Sequence, residues 1–261
     1  SGILNLNGFN IYIGTSGSVA STTYSGNIIN SGSVNLIGGT LTLSGNNTYT
    51  GGTNVSGGTL TLGSTTALPN NYSVNISGDG SLDINGNAIN IGTGAINVTG
   101  GGSTTVKNTG SPANATLTAA SYNVSTSNTT NISAILAGST STLSMSGTGS
   151  LTLSAANTYA GGTTISAGTL VLGSSNSLAS AGAVTVSGGI LSMGASSNTV
   201  GTVTVSSGSI TSSSGVLTGS GYSISNDAGT VTISASLGSS GALTKTGSGI
   251  LVLSGTNSSY S

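Results

Sequence analysis

One stretch of 24 residues occurs twice in this chain. Residues 41–64 read L-T-L-S-G-N-N-T-Y-T-G-G-T-N-V-S-G-G-T-L-T-L-G-S, and residues 151–174 agree with them at 17 of 24 positions, the replacements being only Ala, Thr, Ile and Val. A single copy holds too few aliphatic side chains to offset the backbone entropy lost when it orders. A chain of this kind therefore folds by stacking copies and sharing one core between neighbours. The expected architecture is a solenoid, a rod of successive coils.

The strand signal has period two. Apolar–polar–apolar triplets recur at Val34-Asn35-Leu36, Leu41-Thr42-Leu43, Leu60-Thr61-Leu62, Val74-Asn75-Ile76, Ile96-Asn97-Val98, Leu151-Thr152-Leu153, Leu170-Val171-Leu172, Val184-Thr185-Val186, Val203-Thr204-Val205 and Leu251-Val252-Leu253. Alternation places the outer pair of each triplet on one face, toward the core, and the middle residue on the other. The intervening Gly-Gly, Ser-Gly and Asn-Gly pieces, among them Gly51-Gly52 and Gly161-Gly162, read as tight corners supplied with positive φ. Both prolines, Pro69 and Pro112, fall in polar breaks, and no stretch longer than a turn has helical periodicity.

Spacing selects among β architectures. Leu41 to Leu60 and Leu151 to Leu170 are each 19 residues apart, the length of one coil in a three-strand β-helix. A sandwich or propeller would use longer strands and larger anchoring residues. The fold class expected is all-β, a single-stranded parallel β-helix (β-solenoid) of about 11 to 13 coils, running as one continuous segment over residues 1–261. At about 4.8 Å per stacked strand such a rod is about 50 to 60 Å long.

Composition narrows the function classes. Only 2% of the residues are charged, with two Lys, three Asp or Glu, no His and no Cys. Two lysines, Lys107 and Lys245, do not make the basic footprint a phosphate backbone needs, so no nucleic-acid partner is expected. No apolar run approaches the roughly 18 to 20 residues of a membrane span, so no membrane insertion by this segment is expected. The lack of Cys suits a chain that crosses an envelope unfolded, and the stretch reads as mature or excised.

A longer period overlies the short one. Tyr49 and Tyr159 hold the same place in N-T-Y, and Tyr260 follows in N-S-S-Y. Residues 1–6 also resemble residues 248–253, so both ends share a phase of the repeat. This is expected of a segment of a longer rod, or of a unit continuing head to tail into a neighbour.

The stretch Gly241-x-Leu243-x-Lys245-x-Gly247-x-Gly249-x-Leu251-x-Leu253-Ser254-Gly255, taken with residues 41–64 and 151–174, resembles the autotransporter-associated β-strand repeat of bacterial autotransporter passenger domains. The clear copies lie at 41–64, 151–174 and 241–261. The resemblance implies a right-handed parallel β-helix, carried across the outer membrane and then displayed at the cell surface or released. Two departures stand out: Met145 takes the place of Lys245 before the middle copy, and the last copy has one extra residue before Tyr260. The residues expected to define the repeat are Leu41, Leu43, Tyr49, Gly51, Gly52, Leu60 and Leu62; Leu151, Leu153, Tyr159, Gly161, Gly162, Leu170 and Leu172; and Leu251, Leu253 and Tyr260.

Few residues are available for chemistry. Asp79 and Asp83 form the one close carboxylate pair, the type of pair that acid/base work on glycans or Ca²⁺ binding would need. Asp83 sits mid-triplet and Asp79 in Gly78-Asp79-Gly80, so both are expected as solvated strand-face and turn residues, with Asp227 as another turn residue. A nucleophilic Ser would lack a base, since there is no His. No enzyme, cofactor, catalytic residue or metal site is expected. Tyr49 and Tyr159 precede a corner, where covering the apolar seam is a simpler role than stacking on sugars. Outward pairs such as Thr40-x-Thr42 and Thr59-x-Thr61 would order ice only if repeated on nearly every coil, and Asn, Ser and Asp interrupt them. Asn46, Asn54, Asn75 and Asn128 stand in glycosylation sequons that a Ser/Thr-rich chain produces by chance. The reading that emerges is an extracellular structural or adhesive rod whose partners are its own coils, copies of itself, or surface glycans or proteins. A self-assembling head-to-tail fibre and a glycan-active β-helical enzyme are the alternatives.

Overall fold

The computed structural model describes residues 2–238 and 241–256. Every strand pairing among them is parallel, from Ile3–Asn5 on Asn27–Ile29 through to Thr230–Ile233 on Ile250–Leu253. The chain is a parallel β-solenoid of about 12 turns. Along one face Ile11, Val34, Thr53, Val74, Ile96, Tyr122, Leu143, Thr163, Val184, Val203, Tyr222 and Leu243 stack in succession. Two residues on, Ile13, Leu36, Val55, Ile76, Val98, Val124, Met145, Ile165, Val186, Val205 and Ile224 form a second inward column that ends on Lys245. A further face stacks Leu41, Leu60, Leu82, Val106 and Ile132, then Leu153 and Leu172. Ile11, Ile13 and Leu243 at the two ends are half-buried, and the other aliphatics of these columns are buried, each row kept dry by the rows above and below it.

The third face is made of shorter strands and is interrupted. Ile89–Asn90, Thr116–Thr118, Ile135–Gly138 and Thr158–Tyr159 form one short ladder, and Asn198–Thr199, Val216–Thr218 and Ser236–Gly238 another. Outside these patches single backbone bonds still join the coils, such as Thr48 N to Ile28 O and Asn71 N to Ile91 O, both at 2.8 Å, and side chains add further bridges.

The middle residues of the triplets point outward, and on the first face they form a ladder of their own. Asn54 Nδ2 donates to Asn35 Oδ1, Asn75 to Asn54, Asn97 to Asn75 and Asn123 to Asn97, at 2.8 to 2.9 Å. Ser144, Thr164, Thr185, Thr204, Ser223 and Thr244 continue the column. Asn54 and Asn75, met in the sequence as sequons, are thus rungs of an amide ladder. The Thr40/Thr42 and Thr59/Thr61 pairs are in register, but Ser81 and Asp83 follow them on the next coil.

Coil length varies while the columns stay aligned. The step is 19 residues from Asn35 to Asn54 and 26 from Asn97 to Asn123, with the added residues held in the corners. The corner glycines are required for two different reasons. Gly52 has φ +79°, whereas Gly51, Gly161 and Gly162 do not adopt positive φ. At Gly51 and Gly161 the reason is close approach, since a Cβ would lie 2.4 Å from the backbone of the preceding coil. The expected positive φ is therefore present at the Gly51-Gly52 corner and absent from Gly161-Gly162.

At the last described coil Leu251 is half-buried and Leu253 is 42% exposed. No described coil lies on their far side, so their columns are covered on one side only. Tyr260 lies outside the described residues.

Because Leu41 pairs with Leu60 in the same phase, removal of residues 41–59 joins Thr40 to Leu60 without shifting any column. Such a deletion is expected to leave a folded rod shorter by one rung, about 4.8 Å. Circular dichroism and small-angle scattering check it, and global unfolding would count against nearest-neighbour stacking.

Candidate functional site

The two repeat copies build one structural device each at the corner between the third and first faces. Tyr49 and Tyr159 are fully buried, and each hydroxyl hydrogen-bonds across the corner to a threonine four residues on, Tyr49 to Thr53 at 2.6 Å and Tyr159 to Thr163 at 2.7 Å. Burial this complete leaves neither ring free to stack on a sugar. Desolvation pushes the Tyr159 phenol up to about 12, although its bond to Thr163 lowers it in part. Tyr122 stands in the first-face column two rungs before Thr163, its ring edge-on to Tyr159 at 6.4 Å between centroids. Its hydroxyl meets the carbonyls of Leu117 and Ala137.

Two residues before each repeat tyrosine lies an asparagine whose role the sequence reading missed. Asn47 Oδ1 accepts from Ile28 N at 2.8 Å and its Nδ2 donates to Ala67 O at 2.7 Å. Asn157 does the same between Leu136 N and Ser177 O, at 2.9 and 2.7 Å. Each amide bridges the coil before and the coil after, satisfying a buried backbone N–H on one and a carbonyl on the other. The shared N-T-Y carries the signal: an Asn conserved between copies just before a buried aromatic has an inward job.

The remaining repeat positions are placed as follows. Leu41, Leu43, Leu60 and Leu62, with Leu151, Leu153, Leu170 and Leu172, all lie in the core. Gly58 and Gly168, which were not singled out in the sequence, adopt φ +72° and +68°, and a Cβ there would lie 2.1 and 2.3 Å from a carbonyl oxygen of the coil before. The neighbouring position, Gly57 in one copy, is Ala167 in the other.

Asp79 and Asp83 each hold backbone N–H groups of a corner. Asp83 is 5% exposed, against the expectation of a solvated strand face. It accepts from Asn85 N at 2.9 Å, from Thr109 N at 3.0 Å and from the Thr109 hydroxyl. The long corner at 107–115 folds over it, which the triplet pattern alone did not reveal. Asp79 is exposed and accepts from Ser103 N at 3.0 Å on the next coil. Both carboxylates thus fasten corners. Among the described residues no three His, Cys, Asp or Glu come together as metal ligands, and no helix is long and apolar enough to cross a membrane. Lys245, at the end of an aliphatic column, turns its ammonium to Thr246 O at 2.6 Å and Gly247 O at 2.8 Å.

An open groove of about 490 Å³ lies where the third face is interrupted, over three successive coils. Asn46, Thr48 and Thr50 line it on one coil, Thr65, Thr66, Pro69, Asn70 and Tyr72 on the next, and Ala88 and Asn90 on the third. None of these residues is charged.

Three stretches of the chain, residues 38–62, 143–172 and 243–261, match the model of the passenger-associated-transport-repeat. The chain carries a repeat similar to that one. The first two matches contain the Asn–Tyr corner in the first copy and, in the second, Met145, Asn157 and Tyr159. Together the three cover less than a third of the chain, and the coils between them follow the same columns without the motif. No curated protein and no solved structure matches the chain.

Proposed function

We propose that this chain is an extracellular rod, the passenger-type solenoid of a bacterial surface or secreted protein, which holds binding regions away from the cell. The observation that supports this most is the run of aliphatic columns past every corner, from Ile13 to Ile224, with passenger-associated-transport-repeat matches recurring along it. Each rung pairs only with the rungs beside it, so coils can be laid down one at a time. That order suits a chain that emerges unfolded through a narrow exit, and the absence of Cys means that no disulfide closes before it leaves. An almost uncharged chain rich in Thr, Ser and Asn gives the rod hydrogen-bonding groups along its length and few ionic anchors.

Antibody raised against this chain is expected to label intact cells of the source organism, and externally added protease to remove the label. Labelling only after permeabilisation would overturn the reading. Electron microscopy of the purified chain is expected to show separate rods of about 55 Å. Unlimited filaments would instead favour head-to-tail assembly.

A further inference from the structure

Where two copies of a repeat share a scaffold, the side chains the scaffold needs recur in both, and the ones that differ are released for other uses. Residues 45–74 and 155–184 make the same coil in the same register, ending on Val74 beside Thr53 and Val184 beside Thr163. The core leucines, the bridging Asn and the buried Tyr are common to both. The groove positions are not. Asn46, Thr50, Asn70 and Tyr72 in the first copy stand where the second has Ala156, Ala160, Ser180 and Gly182. The fold makes this corner without the groove's side chains, so packing does not account for them.

Their chemistry points one way. Tyr72 is half-buried and lines the groove, and its hydroxyl has no hydrogen-bond partner among the described residues. Tyr49, Tyr122, Tyr159 and Tyr222 are buried in the core with their hydroxyls engaged, and Tyr24 donates to Gly2 O. Asn46 and Asn70 are exposed, and their side-chain amides, each with donors and an acceptor, make no bond within the described chain. A half-buried aromatic ring lining the same groove as open amides and hydroxyls, in a cleft of ligand-binding size, matches a molecule with apolar C–H faces and a dense rim of hydroxyls. None of the five formal charges lines the groove, so a phosphate, sulfate or carboxylate finds no counter-ion there.

We propose that this groove binds a neutral oligosaccharide, with the Tyr72 ring as the platform for a sugar's C–H face and the Asn46 and Asn70 amides as partners of its hydroxyls. The proposal rests on the rod reading and gives that rod a contact site of its own.

The test is a panel of immobilised neutral hexose, deoxyhexose and N-acetylhexosamine oligosaccharides, with sialylated and sulfated ones as a second arm, probed with the whole chain. The expected result is binding to at least one neutral member, weakened about tenfold or more by Tyr72→Ala and less by Asn70→Ser, which installs the second copy's residue. Binding to none of the neutral members, binding only to sialylated or sulfated members, or binding that both variants leave unchanged overturns it. Circular dichroism and scattering on the same samples separate the two readings: a folded rod without sugar binding removes the groove proposal alone, and a chain that forms no rod removes the scaffold reading beneath it.

Discussion

Taken above pH 10, the rod is expected to unfold in a cooperative transition driven by its buried phenols. Burial raises the Tyr49, Tyr122 and Tyr159 phenols above their ordinary value of 10.0, with the threonine and backbone hydrogen bonds lowering them in part. In the unfolded chain these groups ionise near 10. In the folded rod they hold their protons to higher pH, so between those values the folded state binds more protons and loses stability as pH rises. The contribution is whole below pH 10 and is spent as pH climbs toward the folded values. Tyr159 alone, raised to about 12, stands for about 3 kcal/mol. With no His in the chain, stability is expected to stay flat across neutral pH. Phenolate absorbance and circular dichroism followed together check it: the last phenols should ionise only as the β signal disappears. Ionisation of every tyrosine near pH 10 with the β signal intact would refute it.

Asn157→Ala is expected to cost about 2 to 5 kcal/mol, because it strips the partner from Leu136 N on one coil and from Ser177 O on the next, both buried. Asn123→Ala removes an amide whose Nδ2 donates to Asn97 on the outer ladder, where water substitutes, and should cost about 1 kcal/mol. Guanidinium midpoints of the two variants against the parent measure the gap. Equal shifts would mean that the inward bridge is no more important than the outward ladder.

These two cases mark where sequence reading reaches. The columns were legible because period-two alternation and a 19-residue spacing are both written in Leu41, Leu43, Leu60 and Leu62, and the structure places all four in the core. Residues whose burial depends on a neighbouring coil were not legible. Asp83 reads as outward from its own triplet and is outward, yet Thr109, 26 residues later, closes over it. Asn47 and Asn157 look like ordinary loop asparagines until the coils on both sides are in place. The groove was equally hidden, since its lining comes from three coils and Tyr72 lies outside the N-T-Y pattern that drew attention to the other tyrosines.

The unequal coil lengths have a consequence for how such a molecule diversifies. Because 19-residue and 26-residue coils keep the same columns in register, a corner can be lengthened or redecorated without any change to the packing it borders. Each coil is then a separate address along the rod, and new contacts can be tried at one address while the others keep the molecule standing.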